Sequence, residues 1–324
     1  MIKYLLYFLL SLAIAYIITP FFRSFAKNNH IVARQNHRTV HEGEIPKLGG
    51  GAIFFAFLAG MLLVVMTSTE LIFQHSAMVT SLVVGGLALF LMGAIDDKAD
   101  LNCNLKLAIE VAVAIAAVSM GWRVDALLLP AAQHVELGWF AYPFSVLWIV
   151  GVINSFNMID GLDGLAAGIA VVVLLSSLGI AVLFGNVLAP FIIIVLLGAS
   201  LGFLRYNINP ASIFMGDSGS LSLGFFLACI TINASTFSGD TSAFLIPLLL
   251  LGLPLTDTSL AIIRRWRRNI HPFHADREHV HHRLVNLGLS QSGAATAMVG
   301  LTLILGLMAY LVAHGITMDI KLLH

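Results

Sequence analysis

Four polar residues at intervals of three, Asn154, Asn157, Asp160 and Asp163, interrupt the apolar stretch INSFNMIDGLDGL (153–165). Three residues turn an α-helix by about 300°, so a helix through this stretch would carry the four groups as a slowly drifting stripe. Amide and carboxylate oxygens in one stripe can bind Mg²⁺, and they can equally hydrogen-bond to a planar base. Helix capping would account for one or two of these residues but not for four, so the spacing favours a binding function.

A second candidate is the pair of adjacent carboxylates Asp96 and Asp97 in AIDDKAD (94–100). Neighbouring carboxylates repel, and at a membrane boundary they need a cation or a proton to compensate. They could therefore engage a divalent cation or accept a proton from a phosphate, and a solvated acidic loop is the alternative. Lys106 could reach a phosphate with its ammonium group, or it could pair with Glu110 one helical turn later.

The segment FMGDSGS (214–220) precedes another apolar block. Its GDSGS resembles the nucleophile segment of chymotrypsin-like proteases only superficially, because no β-rich domain surrounds it. Asp217 at a helix start could ligate Mg²⁺, while Gly216, Gly219 and backbone N–H groups receive phosphate oxygens. An ordinary N-cap by Asp217 or Ser218 explains the motif about as well.

The segment HADREHVHHR (274–283) offers three closely spaced histidines near its end, His279, His281 and His282, together with Arg277 and Arg283. Histidines at such spacing can bind zinc, but no cysteine accompanies them and the arginines favour an anion or diphosphate. The alternative is a basic loop that contacts lipid head groups, as we predict for RRWRR (264–268).

Two further charged residues adjoin these motifs. Lys47, in HEGEIPKLGG (41–50), is explained by membrane topology alone. Asp257 lies inside a predicted span, where it could be a proton-relay acid, but pairing with a nearby base is favoured.

The elements that must position these residues are membrane helices. The chain has 324 residues, 59% hydrophobic and 10% charged, with a mean hydropathy of +0.94. Its apolar blocks, roughly 20 residues long, match the bilayer core, where the backbone must be helical. We predict an all-α polytopic integral membrane protein, a single transmembrane domain over 1–324, with the active site formed by cytoplasmic loops. About ten spans are expected, at 3–20, 48–67, 76–95, 104–120, 139–155, 164–184, 187–204, 219–235, 243–263 and 293–314.

The basic residues indicate the orientation of these spans. When the loops are numbered alternately, fourteen Lys and Arg residues fall on one side and only Lys3, Arg123 and Lys321 fall on the other. The positive-inside rule makes the first side cytoplasmic and puts both termini outside. Every polar motif above falls on the cytoplasmic side.

The first block lacks a cleavage site and is predicted as an uncleaved span. The two cysteines, Cys103 and Cys229, are too few for a disulfide or zinc framework.

Five motifs in order, IPKLGG, DD, NxxNxxDGLDGL, FMGDSGS and HxHHR, resemble those of the polyprenyl-phosphate N-acetylhexosamine-1-phosphate transferase family (glycosyltransferase family 4). This family includes the phospho-MurNAc-pentapeptide translocase. The resemblance covers almost the whole chain. It implies Asp217 as the principal Mg²⁺ ligand and Asn157 as a second, with Mn²⁺ as a substitute metal. Asp96 and Asp97 match the catalytic acidic pair, and Lys106 matches a basic residue near the phosphates.

The resemblance also implies substrate contacts. Asp160 and Asp163 match the nucleotide-site stretch, with Asp163 reading the uracil, and Phe214 matches an aromatic residue that stacks on that base. The loop that contacts sugar and diphosphate is matched by catalytic His279 and by substrate-binding residues: His281, His282 and Arg277. No firm role follows for three residues: Asn154, Lys47 and Arg283.

The implied reaction transfers N-acetylglucosamine 1-phosphate, or a related HexNAc 1-phosphate, from a UDP-sugar to undecaprenyl phosphate and releases UMP. It takes place at the cytoplasmic face of the bacterial inner membrane and starts O-antigen, common-antigen or teichoic-acid type glycans. PFHADREHVHHRL resembles the WecA- and TagO-like branch, which uses UDP-GlcNAc; the translocase typically has three consecutive histidines there. Phospho-MurNAc-pentapeptide transfer is the alternative. Direct transfer in one step and transfer through a covalent aspartyl intermediate are both compatible with the sequence.

Other classes fit the sequence less well. A magnesium-dependent prenyltransferase, which DDKAD fits, needs a second D-x-x-x-D segment, and Asp160 and Asp163 lack that spacing. A transporter would place its ionisable groups at mid-bilayer. A CDP-alcohol phosphotransferase would carry an Asp-Gly-Ala-Arg signature. The expected partners are thus the UDP-sugar, undecaprenyl phosphate and membrane lipid. A homodimer is compatible with the sequence, and no nucleic-acid partner is expected.

Overall fold

A computed structural model describes residues 2–33, 45–129, 133–237, 241–268 and 279–322 of the protein. These residues form thirteen α-helices and four short β-strands. In chain order the elements are α1 (Ile2–Asn28), α2 (Gly50–Thr67), α3 (Thr69–Gln74), α4 (Ser76–Ala99), α5 (Cys103–Ser119), β1 (Ala126–Leu129), β2 (Gln133–Glu136), α6 (Ala141–Ile159), α7 (Leu165–Leu183), α8 (Ala189–Asn207), α9 (Gly216–Ala234), β3 (Thr236–Phe237), β4 (Thr241–Ser242), α10 (Leu245–Leu250), α11 (Gly252–Arg267), α12 (Val280–Asn286) and α13 (Gln291–Leu322).

Seven of the described helices are long and apolar enough to cross a bilayer: α1, α2, α4, α6 with the 3₁₀ turn before it, α7, α8 and α13. A protein with this many apolar helices is a multi-pass membrane protein. The prediction of an all-α polytopic membrane protein is confirmed, and the count of ten spans stays a prediction.

The predicted ninth span, 243–263, is two helices. α10 ends at Leu250 and α11 begins at Gly252. Pro254 has no N–H to donate to the carbonyl of Leu250, and the regular hydrogen-bond ladder is therefore interrupted at this point. Asp257 therefore lies near the start of α11, which is separate from α10.

Helix α9 is the centre of the bundle. It packs against α2, α4, α6, α7, α8 and α10, and nearly all of its residues are buried. Two of its serines donate hydrogen bonds within the helix: the hydroxyl of Ser220 donates to the carbonyl of Gly216, and that of Ser222 to the carbonyl of Ser218. A helix surrounded by protein needs no lipid-compatible surface, so α9 tolerates the glycines and serines that lower its hydropathy.

Glycines bring the first turn of α9 against the backbones of α2 and α4. A Cβ on Gly93 would lie 2.4 Å from the backbone nitrogen of Ser218, and a Cβ on Gly50 would lie 2.2 Å from Cα of Gly219. Side chains cannot relieve such contacts, because the atoms involved belong to the backbone. The close approach at Gly93 places the end of α4, with its two aspartates, beside the start of α9.

Gly93→Ala should therefore destabilise the protein by about 1–3 kcal/mol or more, the usual cost of overpacking a core. The measurement is the thermal unfolding midpoint of purified protein in detergent, monitored by size-exclusion chromatography. Gly300→Ala is the matched control, because no atom lies within 4 Å of a Cβ at that helical position. An unchanged midpoint for Gly93→Ala would contradict the packing described for α4 and α9.

A four-stranded sheet covers one end of the bundle. Its strand order is β2-β1-β4-β3, with β1 antiparallel to β2 and parallel to β4. The strands belong to the connections from α5 to α6 and from α9 to α10. Because successive long helices reverse direction, the α4–α5, α6–α7 and α8–α9 connections lie at the opposite end, with the polar motifs.

Candidate functional site

Side chains from four helices form one hydrogen-bonded cluster at that opposite end. Nζ of Lys106 donates to Oδ2 of Asp96 at 2.7 Å and to Oδ2 of Asp217 at 2.9 Å. Nδ2 of Asn157 donates to Oδ1 of Asp217 at 3.1 Å. The structure thus brings together four of the predicted site residues, namely Asp217 and the three around it. Lys106 pairs with these carboxylates, and the alternative pairing with Glu110 is not observed.

Asp97 turns away from this cluster, because adjacent residues on a helix point about 100° apart. Its side chain is fully buried. Oδ1 accepts the backbone N–H of Asp217 at 3.0 Å and Oδ2 accepts that of Ser218 at 3.1 Å. Asp97, at the end of α4, therefore caps the N-terminus of α9. It takes the place of the N-cap that the sequence suggested for Asp217 or Ser218. This cap also means that these two N–H groups are already occupied, contrary to the expectation that they receive phosphate oxygens.

Gly216 is required by this cap. Its φ of +72° lies in the left-handed region, and a Cβ there would be 2.5 Å from Oδ2 of Asp97. Lys47 approaches from the other side, with Nζ 3.9 Å from Oδ1 of Asp97. The ammonium group thus partly balances the buried carboxylate.

The helical stripe predicted for four polar residues holds for only two of them, because α6 ends at Ile159. Asn154 and Asn157 are helical, whereas Asp160 follows the helix and Asp163 lies in the loop. Asp163 is 5% exposed.

Asp163 helps to fix the α8–α9 connection. Its Oδ2 accepts from Nδ2 of Asn209 at 3.0 Å and from the backbone N–H of Ala211 at 2.9 Å. The same connection carries Phe214, whose N–H donates to the carbonyl of Pro46. Reading of uracil by Asp163 stays a prediction, beside this anchoring role.

Sequence reasoning left Asn154 without a firm role and gave Glu110 only a pairing with Lys106. Nδ2 of Asn154 donates to Oε2 of Glu110 and to the carbonyl of Val150 at 3.0 Å. Glu110 is 1% exposed. A carboxylate inside a predicted span was the available signal, since such groups are rare and usually paired.

The histidine segment is tied to α11. Nδ1 of His279 lies 2.9 Å from Oδ2 of Asp257, and the N–H of Val280 donates to Oδ1 of Asp257 at 2.9 Å. The favoured pairing of Asp257 with a base is thus observed, and the base is His279. Arg283 is an exposed residue of α12, and the predicted Arg277 lies outside the described residues.

Two cavities meet at this end of the bundle. One, here called the polar cavity, has a volume of about 310 Å³ and is lined by residues that include Lys47, Asp160, Asp163, Phe214, Gly216 and Asp217. The other, here called the groove, has about 790 Å³ and runs between α5, α6 and α11; its lining includes Lys106, Glu110, Asn154, Asn157, Arg265, His279 and His281. Gly161 and His282 line both. The cavities therefore adjoin beside the Asp217 cluster.

Negative charge accumulates on the polar cavity. Burial, followed by the nearby carboxylates of Asp217 and Asp97, raises the pKa of Asp160 to about 7. A carboxyl group with such a pKa ionises more readily when a cation neutralises its neighbours. The cavity is thus electrostatically suited to a cation.

These residues fit Mg²⁺ in its usual protein environment. Among the described residues, no group of three or more His, Cys, Asp or Glu side chains is arranged to hold a metal unaided. Mg²⁺ commonly binds through one or two carboxylates, waters and substrate phosphates rather than in an all-protein cage. Asp217 supplies such a carboxylate, Asn157 adjoins it, and Asp160 lines the same cavity.

His281 makes the site sensitive to acid. Its side chain is buried, its Nδ1 has no hydrogen-bond partner among the described residues, and its ring lies against Gly161. Burial, followed by the neighbouring His282 and His279, lowers the pKa of His281 to about 4. The unfolded chain therefore binds more protons than the folded protein between pH 6.5 and 4. Stability present above pH 6.5 is lost as the pH falls through this window.

His281→Gln should reduce this acid destabilisation, by an amount on the order of 3 kcal/mol at most. Thermal unfolding midpoints in detergent at several pH values between 7.5 and 4.5 measure it. His134→Gln, at an exposed histidine in the sheet at the other end, is the control. If His281→Gln and wild type lose stability in parallel, the burial of a neutral His281 is contradicted.

Residues 79–235 match the model of the family described as Glycosyl transferase family 4. The chain is 40% identical to a probable undecaprenyl-phosphate N-acetylglucosaminyl 1-phosphate transferase of Bacillus subtilis, over 90% of this chain and 79% of the relative. It is 34% identical to a decaprenyl-phosphate N-acetylglucosaminephosphotransferase of Mycolicibacterium smegmatis, over 87% and 75%. It is 28% identical to the undecaprenyl-phosphate alpha-N-acetylglucosaminyl 1-phosphate transferase of Escherichia coli K12, over 89% and 77%. Since similarity at this level extends over most of both chains, the protein belongs to glycosyl transferase family 4.

Proposed function

We propose that this protein transfers N-acetylglucosamine 1-phosphate, or a related HexNAc 1-phosphate, from a UDP-sugar to undecaprenyl phosphate, giving undecaprenyl-diphospho-HexNAc and UMP. The observation that carries the proposal is the meeting of a polar cavity and a largely apolar groove at one acidic cluster. A water-soluble donor and a lipid acceptor need this combination of surfaces. The relatives described above, named as N-acetylglucosamine phosphate transferases of undecaprenyl or decaprenyl phosphate, support the same reaction.

The groove suits the lipid acceptor. Its walls carry apolar side chains from three helices: Leu107, Leu147, Val150, Leu255 and Ile262. Apolar walls of this kind favour an isoprenoid chain by burying it. Lys106 and Arg265 line the same groove and can attract the phosphate of the acceptor.

The polar cavity suits the nucleotide donor. Phe214 offers an aromatic face on which a uracil can stack. Lys47 lines the cavity and can meet the diphosphate. Asp160 and Asp163 can accept hydrogen bonds from the nucleoside, as the family resemblance implies.

Phosphate transfer then requires two anions to approach each other. A phosphate oxygen of the acceptor attacks the β-phosphorus of the UDP-sugar, and the bond from that phosphorus to the bridging oxygen breaks as UMP leaves. Lys106, held by Asp96 and Asp217, supplies positive charge where the groove meets the cluster. Asp97 maintains the position of Asp217 by holding the start of α9. Mg²⁺ bound by Asp217, with Asn157 as a second ligand, would neutralise diphosphate charge and favour departure of UMP.

The proposed membrane placement is supported by the charge distribution. The fourteen-to-three split of basic residues supports a site that faces the cytoplasm, in the bacterial inner membrane, with both termini outside. UDP-sugars are cytoplasmic metabolites, so this orientation would expose the polar cavity to the donor.

The deciding experiment is transfer of radiolabel from UDP-GlcNAc to undecaprenyl phosphate by purified protein, with and without Mg²⁺. We expect a labelled lipid product with UDP-GlcNAc, release of UMP, and no turnover after chelation. UDP-MurNAc-pentapeptide and other UDP-sugars are compared as donors under the same conditions. Absence of transfer from every UDP-amino sugar would refute the proposed function, and transfer from the peptide-bearing donor alone would reassign it to peptidoglycan synthesis.

A further inference from the structure

A buried carboxylate outside the Asp217 cluster, Asp257, holds the histidine segment at two points. Asp257 is 2% exposed. Its Oδ2 lies 2.9 Å from Nδ1 of His279, and its Oδ1 accepts the N–H of the next residue, Val280, at 2.9 Å. Both oxygens of one carboxylate are therefore used on consecutive residues, which fixes the backbone and the ring together.

This attachment selects one form of the imidazole. Since a carboxylate accepts hydrogen bonds, the hydrogen of neutral His279 is on Nδ1 and the lone pair is on Nε2. The ring of His281 lies parallel to that of His279, with 5.7 Å between centroids and 5° between planes, and further restrains its orientation. The ring of His279 lines the groove, and no residue among those described hydrogen-bonds to its Nε2. As far as the described residues show, Nε2 thus remains an acceptor on a ring that lines the groove.

The predicted acidic pair is less available for this task. Oδ1 of Asp96 accepts the N–H of Leu101 at 2.7 Å, and its Oδ2 accepts from Lys106. Both oxygens of Asp97 are used by the start of α9. All four oxygens of the pair thus already accept hydrogen bonds within the protein.

We propose that Asp257 is a positioning residue that presents Nε2 of His279 to the groove as the acceptor of the last proton of the lipid phosphate. The inference rests on the proposed function. The O–H bond of a monoanionic polyprenyl phosphate breaks as an Nε2–H bond forms, and the freed oxygen bonds to the β-phosphorus. The bridging oxygen leaves with UMP and its electron pair, and the imidazolium later releases its proton to water. Other charged or titratable groups line the same groove: Lys106, Glu110, Arg265, His281 and His282.

Asp257→Asn is the informative substitution. An asparagine offers one acceptor oxygen for two N–H donors, and its amide would face either Val280 or the ring. An amide facing the ring favours the tautomer with the hydrogen on Nε2, which cannot accept a proton there. We expect kcat to fall about 10–100-fold, while KM for UDP-GlcNAc stays constant. Asp257→Glu, which keeps two acceptor oxygens, should recover part of the rate. Thr256→Ala is the control, because Thr256 is exposed on the same helix and, within the part of the chain that the structure describes, its hydroxyl donates only to the carbonyls of Gly252 and Leu253.

The second measurement is ¹⁵N NMR of histidine-labelled full-length protein in detergent, with His279→Gln used for assignment. In the wild type we expect neutral His279 with the hydrogen on Nδ1, and a change at Nε2 when undecaprenyl phosphate is added without UDP-sugar. A wild-type hydrogen on Nε2, no response to the lipid, or an unchanged kcat in Asp257→Asn would each overturn the proposal. The tautomer is read without turnover, so it remains decisive if Asp257→Asn does not fold. Failure of the proposed function would instead appear as wild-type protein that transfers no amino-sugar phosphate.

Discussion

Asp217→Asn should abolish transfer while leaving the protein folded. Asparagine preserves the shape of the side chain and its contact with Asn157, but it removes the negative charge opposite Lys106 and the carboxylate proposed to bind Mg²⁺. Loss of preorganised charge at a phosphoryl site costs roughly 10³-fold or more in rate, equal to about 4 kcal/mol of barrier. The assay is initial rate of radiolabel transfer over a Mg²⁺ titration, with thermal unfolding of the same sample.

Asp125→Asn is the matched control for this substitution. Asp125 pairs with Arg123 at the opposite end of the bundle, and partly exposed pairs of this kind contribute little. The control should keep its transfer rate within about twofold of wild type, because loss of such an ion pair changes the free energy of unfolding by under about 1 kcal/mol. An Asp217→Asn protein that turns over within tenfold of wild type would contradict both the metal assignment and the central place of Asp217.

Asp97→Asn should fail in a different way, by losing stability together with activity. Both oxygens of Asp97 accept backbone N–H groups of α9, and the side chain is fully buried. Asparagine can accept only one of these bonds and turns its amide towards the other donor. Losing a charge-assisted cap and leaving a buried N–H unsatisfied costs on the order of 2–4 kcal/mol. Thermal unfolding and transfer rate, measured on one preparation, test this.

The two variants together separate a structural role from a chemical one. If Asp97 is chiefly the cap of α9, its variant loses thermal stability, whereas the Asp217 variant keeps it. If Asp97→Asn instead retains the wild-type midpoint and loses only its rate, the capping role described here is wrong and the catalytic role predicted from sequence is favoured.

Much of this architecture was predictable from the order of residues. Hydropathy partitions a chain between lipid and water one segment at a time, so the helices and the connections between them can be located from local composition. Reversal of direction at each span then brings alternate connections to the same end. That argument predicted the convergence of the segments carrying Asp96, Asn157, Asp217 and His279 without any knowledge of packing.

The pairing of side chains was not predictable in the same way. Lys106 contacts Asp217, 111 residues away, rather than Glu110 one turn along its own helix. His279 pairs with Asp257, 22 residues earlier, across the segment that precedes α12. Each pairing depends on how a helix is rotated about its axis and on which neighbour it meets, and neither quantity leaves a periodic signal in the sequence.

Local composition therefore determined the membrane class, the positions of the motifs and the end of the bundle at which they gather. Tertiary packing decided the direction in which each carboxylate points. Backbone contacts at Gly50 and Gly93 place α9 against α2 and α4, and this placement directs Asp97 to the helix start and leaves Asp96 with Lys106. Two adjacent aspartates with the same local sequence environment thus acquire different partners, because only the arrangement of neighbouring helices distinguishes the two sides of α4.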